Sequence, residues 1–139
     1  MSNHFNEDTA FEISKVFPLA PEKLFRAFLD EEILKKIWGV SSISIDARPE
    51  GKAHAIFGID GENWNFTVTY KEIIPNEKIR WVVHFERFPE KEPRVTLSFK
   101  SLPSGCEFHV RMENLGNSDE RDEHRGAWNG ALNKLEQII

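Results

Sequence analysis

The amino-acid sequence predicts an α+β domain in which a curved antiparallel sheet wraps around a long C-terminal helix. Three patterns support this prediction: a proline-led helix pattern after a first strand, a series of hairpins, and a closing helix with an apolar stripe. The predicted order is one strand, two short helices, six strands and one long helix (β-α-α-β6-α). Because 139 residues suit a single domain, residues 11–139 are expected to form it, after a disordered tail over residues 1–10.

The first strand and the two short helices are predicted between residues 11 and 39. The stretch FEISKVF (11–17) alternates apolar with polar residues, which is typical of a half-buried strand. Pro21 suits the first turn of the following helix, and Asp30 is a candidate N-cap of a second helix that ends at Gly39. Each helix has an apolar stripe: Leu24, Phe25, Phe28 and Leu29 on the first, and Ile33, Leu34 and Ile37 on the second.

Residues 41–112 have the pattern of an antiparallel meander. Turn residues recur at intervals of roughly 8–14 residues, with no helical pattern between them. Alternation of period two indicates a sheet with one covered and one wet face. The fourth strand, about residues 64–74, exceeds the usual strand length and is expected to bend. The apolar phase includes Trp64, Phe66, Val68 and Tyr70, then Ile79, Trp81, Val83 and Phe85.

The C-terminal segment supplies the helix around which a curved sheet can wrap. Asn117 and Glu120 resemble a capping box, and an acidic first turn favours a helix N-terminus. At helical spacing one apolar stripe forms, with His124 at its edge. Gly126 and Gly130 fall opposite the stripe and indicate either a bend or a surface that another chain approaches closely. The stripe consists of Trp128, Leu132, Leu135 and Ile139.

Composition and charge exclude several classes of partner. The formal net charge is −5 and no run of Lys or Arg stands out, so we expect no nucleic-acid partner. No apolar stretch approaches the length of a membrane span, and the N-terminus does not resemble a signal peptide. The lone Cys106 cannot form an internal disulfide, which fits a reducing compartment. We therefore predict a cytoplasmic protein that is a monomer or a weak dimer.

No motif for catalysis, metal binding or cofactor binding is present in the sequence. The five histidines lack ligand spacing, and Cys106 has no basic sequence neighbour that would lower its pKa. Glycine-rich phosphate loops are absent. His54, His84 and His109 occupy the polar phase of strands, where we expect solvated or cross-strand hydrogen-bonding roles. The sequence therefore predicts no catalytic residue, no metal and no cofactor.

The aromatic residues are the one feature that points to a site. The chain has 11 Phe and 4 Trp but a single Tyr, and tryptophans are rarely enclosed completely. These rings form either a solid core or the lining of a ligand cavity between the bent sheet and the last helix. His124 is either a polar anchor for a ligand or a histidine hydrogen-bonded at the rim. The predicted lining is Trp38, Phe57, Trp64, Phe66, Trp81, Val83, Phe85, His124, Trp128 and Leu132.

Several stretches together resemble a known family. ISKVFPLAPEKLFRAFLDEEILKKIWG, RPEGKAHAIF, YKEIIPNEKIRWV and HRGAWNGALNKLEQII are similar to the Aha-type domain, the C-terminal domain of the activator of the heat-shock-protein-ninety ATPase. That domain belongs to the START-like, birch-pollen-allergen-like superfamily. The resemblance implies a helix-grip fold with an internal cavity, in which relatives hold lipids, hormones or polyketides. The printed sequence does not include the additional N-terminal domain of the eukaryotic co-chaperone, and the family's frequent tryptophan pair is here Ile37-Trp38.

Three functions follow as hypotheses. The first is a module that binds a hydrophobic or aromatic small molecule in the cavity. The second is a protein-interaction module with a chaperone partner, which the resemblance implies. The third is an enzyme that uses the cavity as its active site, which would require a polar pair such as His124 with a carboxylate from the first helices.

Overall fold

The computed structural model describes residues 6–59, 61–86 and 92–139. A seven-stranded antiparallel sheet and a long C-terminal helix make up most of the domain, which confirms the predicted fold class. The elements in chain order are β1 (Phe11–Phe17), α1 (Pro21–Ala27), α2 (Glu31–Trp38), β2 (Ser42–Ile45), β3 (Lys52–Ile59), β4 (Glu62–Ile74), β5 (Lys78–Phe85), β6 (Arg94–Leu102), β7 (Gly105–Glu113) and α3 (Ser118–Ile138).

The strands lie in the order β1-β7-β6-β5-β4-β3-β2, so the first strand pairs with the last. The β1–β7 register joins Phe11 to Met112 and Phe17 to Cys106. At the opposite edge the short strand β2 is covered by α2, where the backbone N–H of Ile45 donates a hydrogen bond to Glu31 Oε2 at 2.9 Å. A carboxylate thus satisfies a donor that an edge strand would otherwise leave without a partner.

Strand β4 bends, as its length predicts. It spans 13 residues, and its register against β5 shifts between Tyr70 and Glu72, which is the sign of a β-bulge. Beside the bulge, the backbone N–H of Tyr70 donates to the carbonyl of Gly51 at 2.9 Å. A side chain at Gly51 would collide with the carbonyl oxygen of Asp46, so this turn requires glycine.

The helices begin and end where their caps predict. Asp30 Oδ1 accepts a hydrogen bond from the N–H of Ile33 at 3.1 Å, and Gly39 ends α2 in the left-handed region at φ 68°. At the start of α3, Asn117 Oδ1 accepts from the N–H of Glu120 at 2.9 Å. Glu120 Oε2 in turn accepts from the N–H of Gly116 at 2.7 Å, completing a reciprocal cap.

Aromatic rings fill the core beneath α1. Phe28 stacks on Phe108 with ring centroids 4.9 Å apart and planes 2° apart, and it meets Phe99 edge to face at 6.0 Å. Phe28 also approaches Trp128 of α3 at 6.3 Å, which ties this part of the core to the last helix. The sheet is therefore densely packed on the α1 side, and the space described below lies on the α2 side.

Residues before β1 are held by hydrogen bonds to the C-terminal part of the chain. The N–H of Leu115 donates to the carbonyl of Thr9 at 2.9 Å, and the Arg121 guanidinium donates to the carbonyl of Glu7 at 2.6 Å. Ala10 is buried at 3% exposure. A disordered tail is predicted over residues 1–10, whereas in the structure residues 6–10 contact α3 and the loop before it, which are partners that local sequence does not reveal. Residues 1–5 lie outside the described residues.

Candidate functional site

A cavity of about 220 Å³ lies between the concave face of the sheet, the end of α2 and the first half of α3. Most of its lining side chains are apolar and many are aromatic. The helix α2 and the residues after it contribute Ile37, Trp38 and Val40; the strands contribute Phe57, Phe66, Val68, Trp81, Val83, Phe85, Val95 and Met112; and α3 contributes His124, Ala127, Trp128 and Ala131.

Three tryptophans form the inner wall of the cavity. The Trp81 and Trp128 rings stack with centroids 6.4 Å apart and planes 25° apart. Trp38 meets Trp81 edge to face at 6.1 Å and 68°. Trp81 and Trp128 are buried, whereas Trp38 is partly exposed. Indole surface from three separate elements therefore converges on one space.

Phenylalanines continue this surface towards solvent. Phe66 lies at the centre of the group, with ring centroids 5.8 Å from Phe57, 6.1 Å from Phe85 and 6.2 Å from Trp38. These four residues are partly exposed, and Ala127 across the opening is exposed. Among the residues that the structure describes, none closes the cavity on the side between the outer ends of β3–β5 and the early turns of α3.

The backbone pairing explains why these side chains share one face. In the β4–β5 ladder Phe66 lies directly opposite Phe85, and Val68 lies opposite Val83, so period-two alternation points all four to the concave side. On α3, residues 124, 127, 128 and 131 lie on one face because residues three and four apart are neighbours on a helix. Two of these four are alanines, whose short side chains leave the space open beside Trp128.

Of the described residues that line the cavity, His124 alone is ionisable. Its imidazole is partly exposed and lies 5.9 Å from the Phe85 ring. Desolvation lowers the pKa of His124 from 6.5, and the nearby carboxylates of Glu120 and Glu123 act in the opposite direction. At pH 7 the imidazole is therefore mainly neutral. It makes no hydrogen bond with any residue that the structure describes, so it differs from the predicted rim histidine with a hydrogen-bond partner.

Eight of the ten residues predicted for the lining surround the cavity: Trp38, Phe57, Phe66, Trp81, Val83, Phe85, His124 and Trp128. Trp64 and Leu132 do not, which corrects their predicted position. Trp64 lies two residues before Phe66, near the start of β4, where it stacks on Phe57 at 6.2 Å. Leu132 is one turn beyond Trp128 and is fully packed in the core at 1% exposure.

Sequence reasoning missed the smaller lining residues. Ala127 and Ala131 lie three and seven residues after His124, so helical spacing from that histidine could have found them. Val68 follows Phe66 by two residues and shares its face. Val95 and Met112 carried no local signal, because they reach the cavity only through the pairing of β6 and β7.

The other histidines confirm the predicted polar roles on strands. His54 Nδ1 lies 3.0 Å from Thr67 Oγ1 on the neighbouring strand, and His109 Nε2 lies 2.9 Å from Glu12 Oε1. His84 Nδ1 lies 3.5 Å from Glu92 Oε2. His4 lies outside the described residues. Within residues 6–59, 61–86 and 92–139, no group of three or more His, Cys, Asp or Glu side chains could hold a metal ion.

Two further features bear on compartment and membrane. Cys106 is buried, and burial raises the pKa of its thiol. Among the helices of the described chain, none combines the length and the hydropathy needed to cross a membrane.

Comparisons with known proteins place this fold in a defined group. Similar solved structures include a protein from Chromobacterium violaceum (21% identity, TM-score 0.81, covering 94% of this chain and 96% of that chain). A protein of unknown function from Staphylococcus aureus has 14% identity and a TM-score of 0.83 over 93% of this chain and 91% of that chain. An HSP90 activator from Plasmodium falciparum has 23% identity and a TM-score of 0.78 over 94% and 95%.

These identities are low, so the structural similarities establish the fold alone. A search of curated protein sequences gives no significant match. The family described as "Activator of Hsp90 ATPase homolog 1-like protein" matches residues 18–139. Because this match covers nearly the whole chain and agrees with the fold, the protein belongs to the Activator of Hsp90 ATPase homolog 1-like family.

Proposed function

We propose that the domain binds an apolar or aromatic small molecule in the cavity beneath α3. The observation that supports this function is an open space of about 220 Å³ lined by rings. Protein interiors are packed as densely as organic crystals, and voids larger than a water molecule are few. A cavity of this size therefore departs from ordinary packing, and its apolar lining suits a ligand better than water.

The expected affinity follows from the surface that a ligand would bury. A single aromatic ring system of roughly 150 Å², transferred at about 25 cal/mol per Å², gains about 4 kcal/mol. That free energy corresponds to a Kd of about 1 mM, and contacts with the ring walls improve it. Titrations should therefore span micromolar to millimolar ligand concentrations.

Tryptophan fluorescence provides the test, since three of the four tryptophans line the cavity. We expect saturable quenching or a spectral shift when an uncharged apolar dye such as N-phenyl-1-naphthylamine is added to the full chain. Ala131→Leu places a larger side chain in the cavity and should weaken binding by at least tenfold. Gly130→Ala is the matched control, because its added methyl group would meet nothing within 4 Å. Saturable binding that is equal in the two variants, or no saturable binding to the wild type, would contradict the proposal.

A second candidate function is interaction with a chaperone. The family match and the Plasmodium HSP90 activator among the structural relatives favour it. The test is to measure the ATPase rate of a purified Hsp90-type chaperone with increasing amounts of the full chain. A rate that rises and saturates would support this function, and the exposed face of α3 around Gly126 and Gly130 is the first surface to alter. An unchanged rate together with no binding to the immobilised chaperone would count against it.

Catalysis in the cavity receives less support. General acid–base chemistry needs a positioned pair, and in the described part of the chain no carboxylate is hydrogen-bonded to His124. We also propose a cytoplasmic location, for which the free, buried Cys106 is the supporting observation.

A further inference from the structure

We infer that the cavity takes an uncharged, planar aromatic molecule of one or two fused rings, with a single hydrogen-bonding group placed at the mouth beside His124. This inference rests on the proposed binding function and specifies the class of ligand. It follows from the volume of the cavity, the geometry of its walls and the distribution of charge around it.

The volume limits the size of the ligand. An engineered cavity of roughly 150 Å³ lined by aliphatic and phenylalanine side chains is large enough for benzene. Pockets for drug-sized ligands measure roughly 300–1,000 Å³. At about 220 Å³, this cavity lies between the two. One ring with substituents or two fused rings fit this space, whereas a lipid with two acyl chains does not.

The walls favour a flat ligand over a flexible chain of equal volume. The stacked Trp81 and Trp128 rings and the edge of Trp38 present aromatic surface on the inner side. Phe66 and Phe85, 6.1 Å apart, present tilted rings on the sheet side. Aromatic rings prefer offset-stacked or edge-to-face neighbours with centroids about 4.5–7 Å apart. A planar ligand can make such contacts with several walls, and an alkyl chain cannot.

The charge around the cavity favours a neutral ligand. In the described part of the lining His124 is the one ionisable residue, and the charged groups that act on it, Glu120 and Glu123, are carboxylates of its own helix. Among the described residues of other elements, the ring that lies against His124 is that of Phe85 of β5, which is uncharged. An anionic ligand would thus meet acidic neighbours without a paired cation. A cationic group inside would find no carboxylate in the lining.

The neutral imidazole supplies the polar contact. A neutral histidine has one nitrogen that donates and one that accepts a hydrogen bond. The His124 ring bonds to no side chain or backbone group within the described ranges, so no described group competes with a ligand for either nitrogen. A phenolic hydroxyl can donate to one nitrogen, and a carbonyl can accept from the other. Hydroxylated or carbonyl-bearing aromatic compounds therefore match the mouth of the cavity.

The test is isothermal titration calorimetry of the full chain with four probes of related size. These are 2-naphthol, naphthalene, 2-naphthoate and decanoate, each at pH 7.5. We expect 2-naphthol to bind at least tenfold more tightly than 2-naphthoate or decanoate. In His124→Leu, 2-naphthol should lose about five- to tenfold in affinity while naphthalene changes less than twofold, because only the naphthol uses the imidazole.

The dependence on pH gives an independent readout. A neutral ligand that covers His124 favours its uncharged form, so 2-naphthol affinity should fall as the pH is lowered from 7.5 to 5.0. The affinity of His124→Leu for 2-naphthol should stay constant over this range, whereas wild-type binding of 2-naphthoate should strengthen at low pH.

Three outcomes would overturn the inference. They are tighter binding of 2-naphthoate or decanoate than of 2-naphthol, equal losses of naphthol and naphthalene binding in His124→Leu, and no binding of 2-naphthol although N-phenyl-1-naphthylamine binds. In the last case the binding function stands and only the ligand class fails. If neither the dye nor any of the four probes binds, the proposed function itself fails together with the inference.

Discussion

The two glycines in the middle of α3 should be replaceable by alanine with a gain in stability. Gly126 and Gly130 are exposed, and a methyl group added at either would meet nothing within 4 Å. Glycine in a helix interior costs about 1 kcal/mol relative to alanine, because the unfolded chain loses more freedom when glycine is ordered. The double variant Gly126→Ala/Gly130→Ala should therefore gain about 2 kcal/mol in the free energy of unfolding.

The length of the chain sets the expected size of the change in Tm. An unfolding entropy of about 2.1 cal/mol/K per residue amounts to about 0.29 kcal/mol/K for 139 residues. A gain of about 2 kcal/mol then raises Tm by about 7 °C, which thermal melting followed by circular dichroism measures directly. Guanidinium titration should show a higher midpoint with an unchanged m-value.

A contrasting substitution checks the physical reason. Gly105 has φ 146°, and a side chain there would collide with the carbonyl oxygen of Phe17. Gly105→Ala should therefore lower Tm, even though the chemical change is identical. If the α3 double variant is no more stable than the wild type, the argument from helix propensity is refuted. The glycines would then relieve strain that the helix geometry does not reveal.

The remaining predictions concern the core, a helix cap and pH. Trp81→Ala should lower the free energy of unfolding, measured in urea, by about 3–5 kcal/mol because the indole is 3% exposed. A decrease below about 1 kcal/mol would mean that packing of Trp81 contributes little to stability. Asp30→Ala should lower the free energy of unfolding by about 1 kcal/mol, since the Ile33 N–H loses its acceptor. Asp30→Asn keeps an acceptor and should retain most of this stability, so equal losses in the two variants would refute the cap. Because the pKa of His124 is lowered on folding, its contribution to stability is present above pH 6.5 and is lost as the pH falls through the folded pKa. His124→Gln should flatten the wild-type decrease in urea midpoint between pH 7.5 and 5.0, and parallel curves for the two proteins would contradict this assignment.

Local patterns in the sequence were sufficient for most of the fold. The N-cap at Asp30, the glycine end at Gly39 and the cap at Asn117 are contacts over three or four residues, and each forms as expected. The pairing of β1 with β7 and the anchoring of residues 6–10 were not accessible in this way. Both depend on partners about 100 residues away. Period-two alternation shows which side chains of a strand share a face, but it does not show which strand pairs with it.

The large side chains that line the candidate cavity could be predicted from the sequence. Rings on a known face, such as Phe66 and Trp81, could be assigned from alternation, whereas Leu132 has the same helical phase as Trp128 and could not be distinguished from it. The cavity exists because the side chains of Ala127 and Ala131 are small, whereas the larger side chain of Leu132 packs into the core. Empty space is a property of packing between elements, so a one-dimensional pattern gives no measure of it.

The pairing of the first strand with the last also has a consequence for how the chain reaches this structure. Phe11 and Met112 are partners in the ladder, so a loop of about 100 residues must close before β1 can join the sheet. Folding rates fall as such non-local pairs accumulate. During synthesis the N-terminal strand is made first and waits until residue 113 has emerged, with Phe11 and Phe17 still exposed. This interval is when the chain is most prone to aggregate.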